Sequence, residues 1–222
     1  MNITPDIENR LENNYNVTEG QRVNNDMSLV IMIKCSDGIV CGADSRSTFN
    51  DGNIIRPAGD VCKVFSNNNI IIGTFGINQV VIPSQYSSPF IKMVLKCREK
   101  IEVVINRIIK EDMTRDEFLG AFQKEIVDDS NTFEFFIGSK DNNYRIDYIK
   151  ISRDECICKE VQSNIIMCNT SYSYNDPLVT KKISVNEGVE IVREMIEFTE
   201  KIQKRVLEYQ NVAGNIIIKT LK

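Results

Sequence analysis

Residues 28–76 read SLVIMIKCSDGIVCGADSRSTFNDGNIIRPAGDVCKVFSNNNIIIGTFG. The run LVIMIKC (29–35) is almost wholly apolar and predicts a strand buried on both faces. The turn Ser36-Asp37-Gly38 follows, with Asp-Gly as the signal of a hairpin. IVCGA (39–43) predicts the return strand, which ends at Asp44. A polar loop holding Asp51-Gly52 and Pro57 leads to VCKVF (61–65), read as a third strand. Asn67 to Asn69 turn the chain into IIIGTF (70–75), a fourth. The stretch is therefore a meander of short strands, and none alternates cleanly between apolar and polar. Each sheet it builds must be covered on both sides.

Outward from this meander the period changes. Val94, Cys97, Ile101, Val104 and Ile108 recur at steps of three and four, which predicts a helix from Phe90 to Ile109. Thr114-x-x-Glu117 has the form of a capping box and predicts a second helix through Val127. FEFFIGS (133–139) and YRIDYIKI (144–151) flank an Asp-Asn-Asn turn and predict a hairpin. Shorter strands are predicted at 156–161 and 164–169. A long amphipathic helix runs from Val185 to Tyr209, with Ser184-x-x-Glu187 as its cap. Gly214 then precedes a closing strand, 215–220. Strands, two helices, strands, helix, strand is not the alternation of a doubly wound sheet. The order predicts an α+β fold, a four-layer αββα sandwich of two mainly antiparallel sheets.

Residues 1–27 stand apart. Seven Asn and few large apolar residues cannot build a core, so this segment is expected to be a tail or a removable pro-segment. Residues 28–222 are expected to form a single domain. The net charge of −4 is spread without a basic stripe, which speaks against nucleic acid as a partner. No apolar run approaches the roughly 20 residues that span a bilayer, and the start has no signal-peptide pattern. A cytoplasmic protein without a membrane partner is expected. The seven cysteines lack the paired spacing of a zinc ribbon, so buried free thiols are expected and no metal or cofactor.

Histidine is absent. A Ser-His-Asp triad and a Cys-His pair are therefore impossible in this chain. A hydrolase built on it must take its base from a lysine, a carboxylate or a main-chain amine. Lys63 sits inside the apolar VCKVF run, where an ammonium group is expected to be buried and partnered.

Three motifs follow one another in the opening stretch: Gly42-Ala43-Asp44-Ser45-Arg46, then Asp60-Val61-Cys62-Lys63-Val64, then Gly73-Thr74-Phe75-Gly76. Together they resemble the proteasome β-subunit family, including the HslV-type peptidases, which are N-terminal-nucleophile hydrolases. The resemblance is close over residues 28–75 and holds in outline beyond. It implies the N-terminal-nucleophile hydrolase fold and places the nucleophile at Ser28, where the family has Thr. The α-amine of Ser28 would be the base, with a reference pKa of about 7.7–8.0. Lys63 would lower the hydroxyl's pKa, Asp44 would hold Lys63, and the Gly76 N–H would receive the oxyanion. Arg46 and Ser171 would support the site. The resemblance further implies a threonine-type endopeptidase with Ser in place of Thr. Such a subunit would cut unfolded polypeptides inside a ring-forming oligomer fed by an ATP-driven unfoldase. Two other readings stand beside it: a catalytically inactive ring subunit that keeps residues 1–27, and an amidase acting on a small amide. Met27 precedes Ser28 where the family's pro-segments have Gly. The α-amine then requires either self-cleavage there or initiation at Met27 followed by its removal.

Overall fold

The computed structural model describes residues 29–50, 55–76, 79–88, 91–126, 132–140, 143–169, 172–175, 182–206 and 212–222. The expected tail, Ser28 and Ser171 lie outside the described residues. The chain opens with β1 (Val30–Lys34), β2 (Ile39–Asp44), β3 (Arg46–Asn50), β4 (Ile55–Asp60), β5 (Val64–Ser66) and β6 (Ile70–Phe75). There follow β7 (Gln79–Ser88), β8 (Ile91–Lys100), α1 (Ile101–Ile108) and α2 (Arg115–Glu125). The second half holds β9 (Phe133–Lys140), β10 (Tyr144–Ile151), β11 (Cys156–Glu160), β12 (Ile165–Asn169) and β13 (Tyr172–Asn175). Helix α3 (Val185–Val206) and β14 (Ile216–Leu221) close it.

Two five-stranded sheets form the centre, in the orders β13-β12-β1-β2-β14 and β11-β10-β9-β6-β5. Every pairing within them is antiparallel. Alternate residues of one strand face different layers, because side chains switch faces at every step. Val30 and Met32 of β1 meet Ile71 and Phe136 between the sheets. Ile31 and Ile33 of the same strand pack outward on Val192 and Ile196 of α3. On the far side Phe135, Ile137 and Ile149 pack on Val104, Phe118 and Phe122 of α1 and α2. The layers are thus α3, sheet, sheet, α1 with α2: the αββα sandwich expected from the uninterrupted apolar strands. Full burial of each such side chain contributes about 1.5–3 kcal/mol.

Both expected capping boxes form. Thr114 and Glu117 bond reciprocally at the start of α2, and Glu187 Oε2 accepts from the Ser184 amide at 2.8 Å at the start of α3. Among the described residues no helix is long and apolar enough to cross a membrane.

Four expectations are corrected. The helix expected from Phe90 begins only at Ile101, and Ile91–Lys100 instead form β8, paired antiparallel with β7. Lys100, the residue before α1, makes no side-chain cap, so no cap marked the change of period. The polar loop after Asp44 is a second ribbon, β3 with β4, irregular between Ser47 and Thr48. The strand expected at 61–65 starts only at Val64, leaving Val61, Cys62 and Lys63 in irregular backbone. Of the cysteines expected to be buried, Cys35 and Cys41 are, whereas Cys156 and Cys158 are exposed on the edge strand β11. An edge strand has one neighbour fewer to cover it.

Candidate active site

The start of β1 and the end of β2 lie together, since Val30 pairs with Ala43. The start of β5 and the end of β6 lie together likewise, with Val64 opposite Gly73. The two ends are pressed against each other across the sandwich. A Cβ on Gly73 would stand 2.5 Å from Val30 Cγ1 and 3.0 Å from Cys41 Sγ, so only glycine lets β6 approach β1 this closely. Asp44, Lys63 and Gly76 sit at these four strand ends. The meander thus brings residues far apart in sequence to one end of the molecule.

Asp44 and Lys63 are the centre of the cluster. Lys63 Nζ donates to Asp44 Oδ1 at 2.9 Å, with side-chain exposures of 4% and 1%. It also donates to the Arg46 carbonyl at 2.6 Å. The carboxylate is satisfied on both oxygens. The Leu29 amide donates to Oδ1 at 3.1 Å. The amides of Arg46 and Ala213 donate to Oδ2 at 3.2 and 3.4 Å. Burial pushes the Asp44 carboxyl above its ordinary range, while Lys63 and the Leu29 and Ala213 amides pull it back. The Lys63 main chain is held as well, its carbonyl accepting from the Thr74 amide at 2.9 Å. The ammonium group therefore has a fixed position at the end of the sandwich.

The Leu29 amide rests on Asp44 Oδ1, the oxygen that also binds Lys63. Gly76 follows β6 with φ +78°, and nothing lies within 4 Å of the place a Cβ would take. That left-handed backbone favours glycine. Arg46 enters the site by its main chain, through its amide on Asp44 and its carbonyl on Lys63. Asp44, Arg46 and Lys63 thus form one bonded cluster at the strand end that Gly76 also borders, and Ser28 and Ser171 lie outside the described residues.

The motifs did not reveal a second ring of supports. Ser45 Oγ donates to Asp60 Oδ1 at 2.8 Å and accepts from the Asn215 amide at 2.8 Å. Between these bonds lies Gly214 at φ +87°, where a Cβ would stand 2.4 Å from Ser45 Oγ and 2.8 Å from Asp60 Oδ1. The Ala213 carbonyl accepts from the Arg46 amide at 3.1 Å, and the Val212 amide donates to the buried Gln203 Oε1 of α3 at 2.8 Å. Residues 212–215 are thus a strap that ties α3 to Asp44. Its donors are main-chain amides, which carry no residue-type signature. Only Ser45, between two expected site residues, and the lone Gly214 before β14 were visible signs.

No family model and no curated protein matches the chain. Among solved structures it is similar to the Anbu (Gly-1) mutant from Hyphomicrobium sp. strain MC1. That likeness has 12% identity and a TM-score of 0.48, over 88% of this chain and 82% of the other. It is also similar to Anbu (ancestral beta-subunit) from Yersinia bercovieri, with 7% identity and a TM-score of 0.48, over 87% and 80%. The assignment to the proteasome β-subunit and HslV-type family is thereby corrected. Neither comparison by sequence yields that family, and the similar structures are of Anbu. The physical reason lies in what the motifs encode. Their spacing is what two strand ends and a buried carboxylate–ammonium pair require, and that requirement does not mark one lineage.

Proposed function

We propose that this chain is an N-terminal-nucleophile peptidase that hydrolyses peptide bonds of unfolded polypeptides, with Ser28 as nucleophile. The observation that carries the reading is the fully buried Asp44–Lys63 pair sharing an oxygen with the Leu29 amide. An ammonium group so placed shares Asp44 Oδ1 with the Leu29 amide, and favours an ionised neighbour. With residues 1–27 removed, the α-amine of Ser28 takes the proton from its own Oγ as Oγ attacks the substrate carbonyl. The Gly76 N–H faces the charge that develops on the carbonyl oxygen. The proton passes to the departing amine, the C–N bond breaks, and an ester to Ser28 forms. Water then attacks the ester, returning the proton to Oγ and releasing the acid. No histidine takes part, in keeping with the composition. Enclosure of the site in a ring, and delivery of substrate by an ATP-driven unfoldase, belong to the same proposal.

The test is hydrolysis of denatured casein by the mature chain and its Lys63→Ala variant. The expected loss is about a hundred- to ten-thousand-fold, with circular dichroism confirming that the variant is folded. An unchanged rate in a folded Lys63→Ala variant removes the mechanism.

A further inference from the structure

Helix α3 carries an apolar stripe that its own sandwich leaves uncovered. At 100° per residue Ile191, Met195, Phe198, Ile202 and Val206 fall on one face, beside the buried face of Val185, Val192 and Ile196. The first two are half-buried against the core. Phe198, Ile202 and Val206 are 65%, 41% and 73% exposed. Large apolar side chains in a row on a helix surface mark an interaction site.

The charges beside the stripe identify its occupant. The ridge on its solvent side is acidic at Glu190 and Glu194 and basic at Lys201 and Arg205. Its sign changes once, close to Phe198. A second copy of α3, laid antiparallel about a two-fold axis at Phe198, sets Met195 on Ile202 and Ile191 on Val206. The same axis brings Glu194 beside Lys201 and Glu190 beside Arg205 of the other copy. Apolar residues meet apolar ones and each charge meets its opposite, as an isologous interface requires. A parallel copy would put this ridge on opposite sides of the interface and leave its charges without their complements.

We infer that α3 is a self-association surface, occupied by α3 of a second copy of this chain in antiparallel register. It stands whether or not the chain hydrolyses peptides.

The experiment is sedimentation equilibrium of the full chain across a concentration series. The wild type is expected to reach at least twice the 25.4 kDa of one chain. Phe198→Asp is expected to halve the mass at equal concentration. Two charge variants use exposed positions and spare the packing: Glu190→Lys with Glu194→Lys, and Lys201→Glu with Arg205→Glu. Each alone is expected to weaken association about tenfold or more, and an equimolar mixture of the two to restore it. A wild type that stays at one chain's mass overturns the inference. So does a Phe198→Asp variant that associates as the wild type does, because another face, or another partner for α3, then accounts for the stripe.

Discussion

Two buried aspartates sit in opposite halves of the molecule, each about 1% exposed, and their surroundings differ in kind. Asp147 on β10 is held by two guanidinium groups, Arg115 at 2.7 Å and Arg145 at 3.0 Å, both reaching in from the surface. Asp44 is held by one ammonium group and three main-chain amides drawn from different parts of the chain. Burial pushes both carboxyls up from their ordinary range. The Asp147 cluster joins the start of α2 to the outer face of a sheet, and its arginines keep part of their hydration. The Asp44 cluster closes the end of the sandwich where β1 begins, and its lysine is almost wholly dry. The first arrangement is a staple. The second fixes a charge at the strand end on which the proposed mechanism rests.

Removing one cation from each cluster separates the two roles most sharply. Lys63→Ala leaves the Asp44 carboxylate buried without its counter-ion and is expected to cost about 3–5 kcal/mol, together with the loss of hydrolysis. Arg115→Ala leaves Arg145 in place and is expected to cost about 1–3 kcal/mol with the rate unchanged. Urea unfolding and casein hydrolysis on both variants check the pair. A rate loss in Arg115→Ala would erase the distinction.

Gly214→Ala perturbs the Asp44 cluster through its strap. A methyl group there collides with Ser45 Oγ and Asp60 Oδ1 and strains a left-handed backbone, so a loss of about 1–3 kcal/mol is expected in urea unfolding. Gly120, in α2, has nothing within 4 Å of its Cβ position, and Gly120→Ala is expected to stabilise slightly. Equal effects at the two glycines would mean that the strap is not under the constraint described.

The pH dependence of hydrolysis sharpens the comparison further. The α-amine must be neutral to take the proton, so the main acid limb is expected near its reference pKa of about 7.7–8.0. Protonation of Asp44, whose carboxyl burial pushes up, releases Lys63 and adds a second fall at lower pH, above the ordinary aspartate range of about 4. Arg115→Ala, which alters only the Asp147 cluster, is expected to leave both where they are. A limb that moves with Arg115→Ala would tie the two clusters together.

The smallest effect concerns thiols. Burial, with help from Asp37 and Glu187, pushes Cys35 up to about 11, and Cys41 is raised further by burial alone. Both are expected to resist iodoacetamide at pH 8 in the folded chain, while the exposed Cys156 and Cys158, beside the Asp147 cluster, are alkylated first. Peptide mass mapping after brief labelling reads the order.

The strand meander and the Asp44–Lys63 pair could be read from residues 28–76, for two physical reasons. Apolar runs with no polar alternation can only be strands covered on both faces, and a lysine inside such a run must find a partner. The β7–β8 pairing was not readable, because apolar spacing of three and four runs unbroken across Lys100 into α1. The strap at 212–215 was hidden for a different reason. It acts through amides that any residue carries, and only Gly214 betrays the close approach of Ser45 and Asp60. The Asp147 cluster was hidden in the alternation of β10, where an inward aspartate looks like a solvent-facing one until Arg115 is placed over it.

The central claim is that Ser28 begins the working chain, with its α-amine beside the Asp44–Lys63 pair. Intact mass and N-terminal sequencing of the protein from its native host test it most directly. A chain that starts at Ser28 is the predicted result. A chain that keeps residues 1–27 has no such amine, and would contradict the account in favour of a catalytically inactive subunit.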